Sequence, residues 1–153
     1  MNADAAMKVA EPAAKYLSAK SAFSPAVAGA ALRWFETMRS ADEWNLSVEE
    51  QAELLGGIKV RTLHSWKSRA LASEEVELSR DTMERLSLLL GIYKGLKIIA
   101  PANRPDIGKR WFNTPNAASP FHGQSPKQYI IDIGTMDGLY AVRRYLDAAR
   151  GSA

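Results

Sequence analysis

Cysteine is absent from this chain. Disulfides, thiolate-ligated zinc and thiol catalysis are absent with it, as suits a reducing compartment. Histidine is scarce: His64 and His122 are the whole complement. His64 falls within a helical pattern, and His122 precedes Gly123 with no carboxylate close in sequence. There is no helical HExxH pair and no glycine loop to cradle phosphate. Asp132 and Asp137 read as separate surface carboxylates. We therefore expect no catalytic residue, no metal site, no cofactor and no enzyme; the opposing reading is a hydrolase or transferase using His122.

No apolar run approaches the about 18 residues of a membrane span. Residues 1–20, Ala-rich with scattered charges, lack the basic start and compact apolar block of a secretory signal. The expectation is a cytoplasmic protein with no membrane partner. Excess charge is small as well, with 20 Lys and Arg against 17 Asp and Glu giving a net +3. This excludes a highly basic nucleic-acid coat but permits a specific binder with a local basic face. Alternating polar and apolar runs, which would argue for strands, are missing, and so are internal repeats.

What is present is helical periodicity. The 153 residues, 46% hydrophobic and 24% charged, suffice for one sizeable core or two small ones. The expected division is a flexible segment over 1–22, a helix-turn-helix domain over 23–77 and a second helical domain over 78–153. The first helix opens at Ser24-Pro25, a cap followed by a first-turn proline. Val27, Ala31, Trp34, Phe35 and Met38 form its buried stripe, and it ends near Ser40 and Asp42. The longest helix is expected from Ser79 to Ile99, with Met83, Leu86, Leu89, Leu90, Tyr93, Leu96 and Ile99 on its apolar side. Leu88, Ile92 and Ile98 widen that side, which favours a core position or a dimer interface. A short helix from Asn103 or Arg104 to Phe112, another from Ser125-Pro126 and a last one from Thr135 to Gly151 complete an all-α chain of about seven helices.

The segment between the first and longest helices carries the chemistry. Ser47 and Glu50 fit a capping box. Ala52 is small enough for a close helix crossing, Gly56-Gly57 supplies a turn free to adopt positive φ, and Ile58 plugs that turn. A second helix then runs from about Lys59 to Ala70. At about 100° per residue, Val60, Leu63, Trp66, Ala70 and Leu71 share one side; Arg61, Ser65, Ser68 and Arg69 lie opposite, flanked by Thr62 and His64. That is the layout of a recognition helix: arginine can grip guanine edges, and serine, threonine or histidine can contact bases or phosphates. Lys59, Arg61, Thr62, His64, Ser65 and Arg69 are the candidate DNA contacts. Lys59 and Lys67 are assigned to phosphate or packing. The double glycine makes the turn one residue longer than the commonest pattern, which re-aims the helix.

The C-terminal half holds Trp111-Phe112-Asn113-Thr114-Pro115-Asn116, Phe121-His122-Gly123-Gln124-Ser125-Pro126 and a closing helix with Gly138-Leu139 and Val142-Arg143-Arg144-Tyr145-Leu146. This pattern resembles the C-terminal domain of Xre/MbcA/ParS-type antitoxins. The segments Leu54-Leu55-Gly56 to Trp66 and Leu78 to Tyr93 resemble the family's N-terminal half, so the likeness covers roughly residues 46–150. It implies an N-terminal Xre-like helix-turn-helix bundle that represses its own operon by binding operator DNA, and a C-terminal helical domain for dimerisation and toxin binding. It further implies a cognate RES-domain toxin acting on NAD, whose active-site cleft the antitoxin covers. Candidate toxin contacts are Trp111, Asn113, Asn116, Phe121, Gly123, Arg143, Arg144, Tyr145 and Arg150, aromatic and arginine side chains being the types that anchor interfaces. The residues alone leave Trp111 and Phe121 divided between core and interface, and Arg143 and Arg144 between interface and solvated face. Asn113 and Asn116 are suited to holding the loop. The competing reading is a stand-alone transcriptional regulator whose second half only dimerises or senses a ligand.

Overall fold

The computed structural model describes residues 24–151; the expected flexible segment over 1–22 lies outside them. Seven helices and no strand are found among the described residues: α1 (Pro25–Thr37), α2 (Val48–Leu54), α3 (Val60–Leu71), α4 (Arg80–Ile99), α5 (Pro105–Trp111), α6 (Pro126–Ile133) and α7 (Met136–Gly151). The start signals act as the side-chain chemistry requires. Ser24 Oγ accepts the Val27 N–H, Ser125 Oγ the Gln128 N–H and Ser79 Oγ the Thr82 N–H, satisfying backbone donors that a helix start leaves free. Gly151, expected as a stop, is still helical and is the last described residue.

The long helix α4 is central. It packs on α1, α5 and α7, and Leu86, Leu89 and Ile92 on it have no exposed surface. One hydrophobic core runs through both halves of the chain. Trp34 of α1, Trp44 of the α1–α2 connection, Tyr93 of α4 and Phe112 just past α5 meet there. Phe112 stacks on Trp44 with ring centroids 4.0 Å apart, and Trp44 meets Tyr93 edge-on at 5.7 Å. Each such ring contributes about 1.5–3 kcal/mol by leaving water.

Two corrections follow. Leu71, placed by angle on the apolar side of α3, is 64% exposed, because it is the last residue of the helix and reaches past the elements α3 packs on. Ile98 and Ile99, counted on the apolar side of α4, are 53% and 40% exposed for the same reason in that helix's last turn.

Candidate DNA-facing and partner-facing surfaces

The α2–turn–α3 unit is built as its sequence requires. Ser47 Oγ accepts the Glu50 N–H and Glu50 Oε1 accepts the Ser47 N–H, each at 3.0 Å, closing the capping box. Gly56 and Gly57 both take positive φ, +97° and +80°. The Ala52 carbonyl accepts the Gly57 and Ile58 N–H groups at 3.0 and 3.3 Å, which folds the chain back toward α3. Ala52 itself is buried and Ile58 packs on the core.

On α3, Leu63 and Ala70 are fully covered and Val60 and Trp66 partly so. Lys59, Arg61, His64, Ser65, Ser68 and Arg69 are exposed, and Thr62 is half-buried. Five of the six candidate DNA contacts are therefore exposed on α3 or at its N-cap, and Thr62 is half-buried among them. Lys59 is the N-cap residue, at the end where backbone N–H groups also face outward.

Lys67 belongs to the packing. It is 5% exposed and bonds Glu36 at 2.9 Å and the Gln51 side-chain oxygen; Gln51 in turn donates to the Phe35 carbonyl at 2.6 Å. Burial, only partly offset by Glu36, lowers the Lys67 pKa. This polar chain ties α1, α2 and α3 together. Arg33 adds a bond of 2.8 Å to the Ala70 carbonyl.

The C-terminal candidates separate into a supporting layer and an outer face. Phe121 is 1% exposed and sits beneath Trp111, Tyr129 and Tyr145, at centroid distances of 5.7, 5.6 and 5.2 Å. Trp111 and Tyr145 stack at 5.9 Å and stay half-buried. Asn113 donates to the Trp44 carbonyl at 2.7 Å. The Asn116 side chain accepts the Ala118 N–H at 2.9 Å while its carbonyl accepts the Gly123 N–H at 2.7 Å. Both asparagines thus shape the loop. Gly123 (φ +99°) and the neighbouring His122 (φ +49°) form its exposed, left-handed tip.

The arginines differ. Arg143 lies across α4 where Gly91 leaves room: a Cβ on Gly91 would fall on the Arg143 Nη1. Its Nε bonds Asp147 at 3.3 Å. Arg144 and Arg150 are exposed on α7. Arg85 was singled out by no sequence pattern. It is 7% exposed, bonds Asp81 at 3.0 Å and the Gly134 carbonyl at 3.3 Å, and packs against Gly56. Only the fold joins the α2–α3 turn and the α6–α7 turn through it, so local sequence carried no signal for it.

No group of three or more His, Cys, Asp or Glu that could hold a metal ion occurs among the described residues. No helix among them is long and apolar enough to cross a membrane.

Residues 21–91 match the family model described as the antitoxin Xre-like helix-turn-helix domain. Residues 103–151 match that of the antitoxin Xre/MbcA/ParS C-terminal toxin-binding domain. The chain is also 36% identical over 113 residues to an uncharacterized protein, y4oB, of Sinorhizobium fredii (strain NBRC 101917 / NGR234), covering 74% of this chain and 80% of that protein.

Proposed function

The chain belongs to the Xre/MbcA/ParS antitoxin family, and we propose that its cognate toxin is a RES-domain protein that consumes NAD and is silenced when the C-terminal half covers its active site. The coarser assignment is plain: this is a toxin-neutralising, DNA-binding antitoxin and not an enzyme. The finer one rests on the family resemblance and on the outer face of α7. Arg144 and Arg150 stand exposed on α7, the helix that also carries Tyr145 of the Trp111–Tyr145 stack. An exposed guanidinium fork suits a cleft made for a phosphate-bearing substrate such as NAD.

The observation that carries the DNA half of the proposal is the arrangement of α3. Arg61, His64, Ser65 and Arg69 face solvent together while Lys67 is locked inward. In this reading Arg61 reads a base edge, Lys59 meets a phosphate, and Thr62, His64, Ser65 and Arg69 complete the footprint. The chain works as a homodimer in the cytoplasm, where its operator is. Its two recognition helices meet half-sites of an inverted repeat about 34 Å apart or a multiple of that. Footprinting on the promoter upstream of the gene tests this; a single unrepeated half-site would contradict the dimer.

The toxin assignment is tested with the purified product of the neighbouring gene and NAD. The proposal expects that product to deplete NAD alone and to stop when one equivalent of the antitoxin is added. Undiminished depletion in the complex would contradict active-site cover. No depletion by the toxin alone would contradict the RES assignment.

A further inference from the structure

Arg85 is a buried charge that neither of the two described surfaces uses. It is 7% exposed on α4, beneath two solvent-facing turns. A guanidinium stays charged and carries its donors in one plane, so it is tolerated inside only where acceptors meet it. Asp81, one turn earlier on α4, accepts from Nε at 3.0 Å. The Gly134 carbonyl accepts from Nη2 at 3.3 Å. Gly134 is the left-handed C-cap of α6, where backbone carbonyls lack a partner within the helix and favour a cation.

The same plane meets the DNA-binding half. A Cβ built on Gly56 would stand 3.1 Å from both Arg85 Cζ and Nε and 3.4 Å from Nη2. Three guanidinium atoms at nearly one distance mean that the group lies flat against this glycine. Gly56 begins the turn that leads into α3. The other end of α2 is held from α6 as well, by Lys127 against Glu50 at 2.6 Å. So α2 packs beside α6 and is tied to it near its start and just past its end. The two ties differ in kind. An ammonium is a point charge on a flexible stem and sets little more than a distance. The Arg85 plane sets an orientation too, with Gly56 on its face and Gly134 at its edge.

We infer that Arg85 is a positioning residue for operator recognition: through the Gly56 turn it sets the place of α3 relative to α6, and so which exposed α3 side chains reach base edges. The inference rests on the DNA-binding reading of α3. It makes α6, which lies outside the matched helix-turn-helix domain of residues 21–91, part of the frame that aims the recognition helix. Specific contacts need placement to about 0.5 Å, whereas phosphate contacts carry no sequence information and supply the general affinity. Loss of Arg85 therefore costs discrimination between operator and other DNA, and spares general DNA affinity and toxin binding.

Full-length Arg85→Met, Arg85→Lys and Asp81→Ala are compared with the parent well below each melting transition, so that every sample is folded. Methionine keeps the stem and loses the donors; lysine keeps the charge and loses the plane. Asp81 is exposed, so its removal frees Arg85 without opening the core. Affinities for the promoter duplex, for a scrambled duplex of equal length and for the neighbouring gene's toxin are measured on the same preparations. The expected result is promoter affinity weakened about ten-fold or more by both Arg85 variants and about three-fold by Asp81→Ala. Scrambled-duplex and toxin affinities stay within about two-fold of the parent. Lost stability alone moves none of these values in a folded sample. Promoter affinity within about two-fold of the parent in either folded Arg85 variant overturns the inference and leaves the DNA-binding reading standing. Equal losses for promoter, scrambled duplex and toxin overturn it too, making Arg85 a support of the whole body. If Arg85→Met does not fold, Arg85→Lys and Asp81→Ala decide in the same way. A parent protein that does not prefer the promoter to the scrambled duplex overturns both the inference and the DNA-binding reading.

Discussion

The Lys127 ammonium on α6 sits 2.6 Å from Glu50 Oε2 on α2. The other oxygen of that carboxylate, Oε1, closes the capping box with Ser47. One side chain thus starts the first helix of the helix-turn-helix and ties it to the toxin-binding half. Arg85, between Gly56 and the Gly134 carbonyl, makes a second link of the same kind.

Replacing Lys127 with alanine should therefore destabilise the protein by about 0.5–1 kcal/mol at neutral pH, the pair being only partly buried. Burial alone would raise the Glu50 pKa, but the Lys127 bond, the Ser47 N–H and the Lys127 charge outweigh it and hold it below its ordinary 4.5. A lowered folded value means the stabilisation is complete above the ordinary value and is lost as pH falls through the lowered one. Thermal melts of parent and variant should converge as pH drops below about 4.5, the ordinary glutamate value. A gap that stays constant down to pH 3 would show that the ion pair is not its source.

Two helical glycines should respond oppositely to alanine. At Gly91 the added Cβ meets only the mobile end of Arg143, which can swing out. The variant should match or exceed the parent in stability, up to the about 1 kcal/mol that alanine gains over glycine in a helix. At Gly108 the Cβ would lie 2.9 Å from the Leu96 carbonyl oxygen and 3.3 Å from Ala100 Cβ, both fixed by α4. Gly108→Ala should cost about 1–3 kcal/mol by overpacking. Equal melting temperatures for the two variants would refute this account of the α4–α5 crossing.

On α3, surface and network should separate. Arg61→Ala should weaken operator binding by about 1–3 kcal/mol, and Lys59→Ala should reduce the salt slope of binding by about 1, neither moving the melting temperature. Lys67→Ala should instead lower stability, since Glu36 and Gln51 lose their buried donor, at about 1–3 kcal/mol. A stable Lys67→Ala protein with normal operator affinity would mean the network does not support α3.

In the C-terminal half, Phe121→Ala should cost about 3–5 kcal/mol as a core truncation. Arg144→Ala and Arg150→Ala should leave stability unchanged and weaken the toxin complex, as read by calorimetric titration. The reverse pattern would make Phe121 the contact and the arginines support.

Local signals were the legible part of this structure. The capping box at Ser47 and Glu50, the left-handed Gly56-Gly57 turn and the Ser-Pro starts at 24 and 125 all act over three or four residues, within reach of a sequence reading. Angular arithmetic placed Leu63, Ala70, Arg61 and Ser65 correctly on α3 but misplaced Leu71, and periodicity misplaced Ile98 and Ile99 on α4, because both know the face of a helix and not where its neighbours end. Lys67 was left between phosphate and packing for the same reason: its partners Glu36 and Gln51 come from two other helices. The Phe112–Trp44 stack, the Arg143–Gly91 fit and the Arg85 clamp join residues 29 or more positions apart. No spacing rule reaches that far.

The central claim is that one small body carries two separable faces, and co-expression with the neighbouring toxin gene tests it most directly. Growth is scored, and the complex is isolated by affinity pull-down. The account predicts that the parent and Arg61→Ala proteins restore growth and co-purify with the toxin, while the Arg144→Ala/Arg150→Ala double variant loses much of both and still binds operator DNA. No rescue and no complex with the parent protein would contradict it and leave a DNA-binding regulator whose C-terminal aromatics serve only its core.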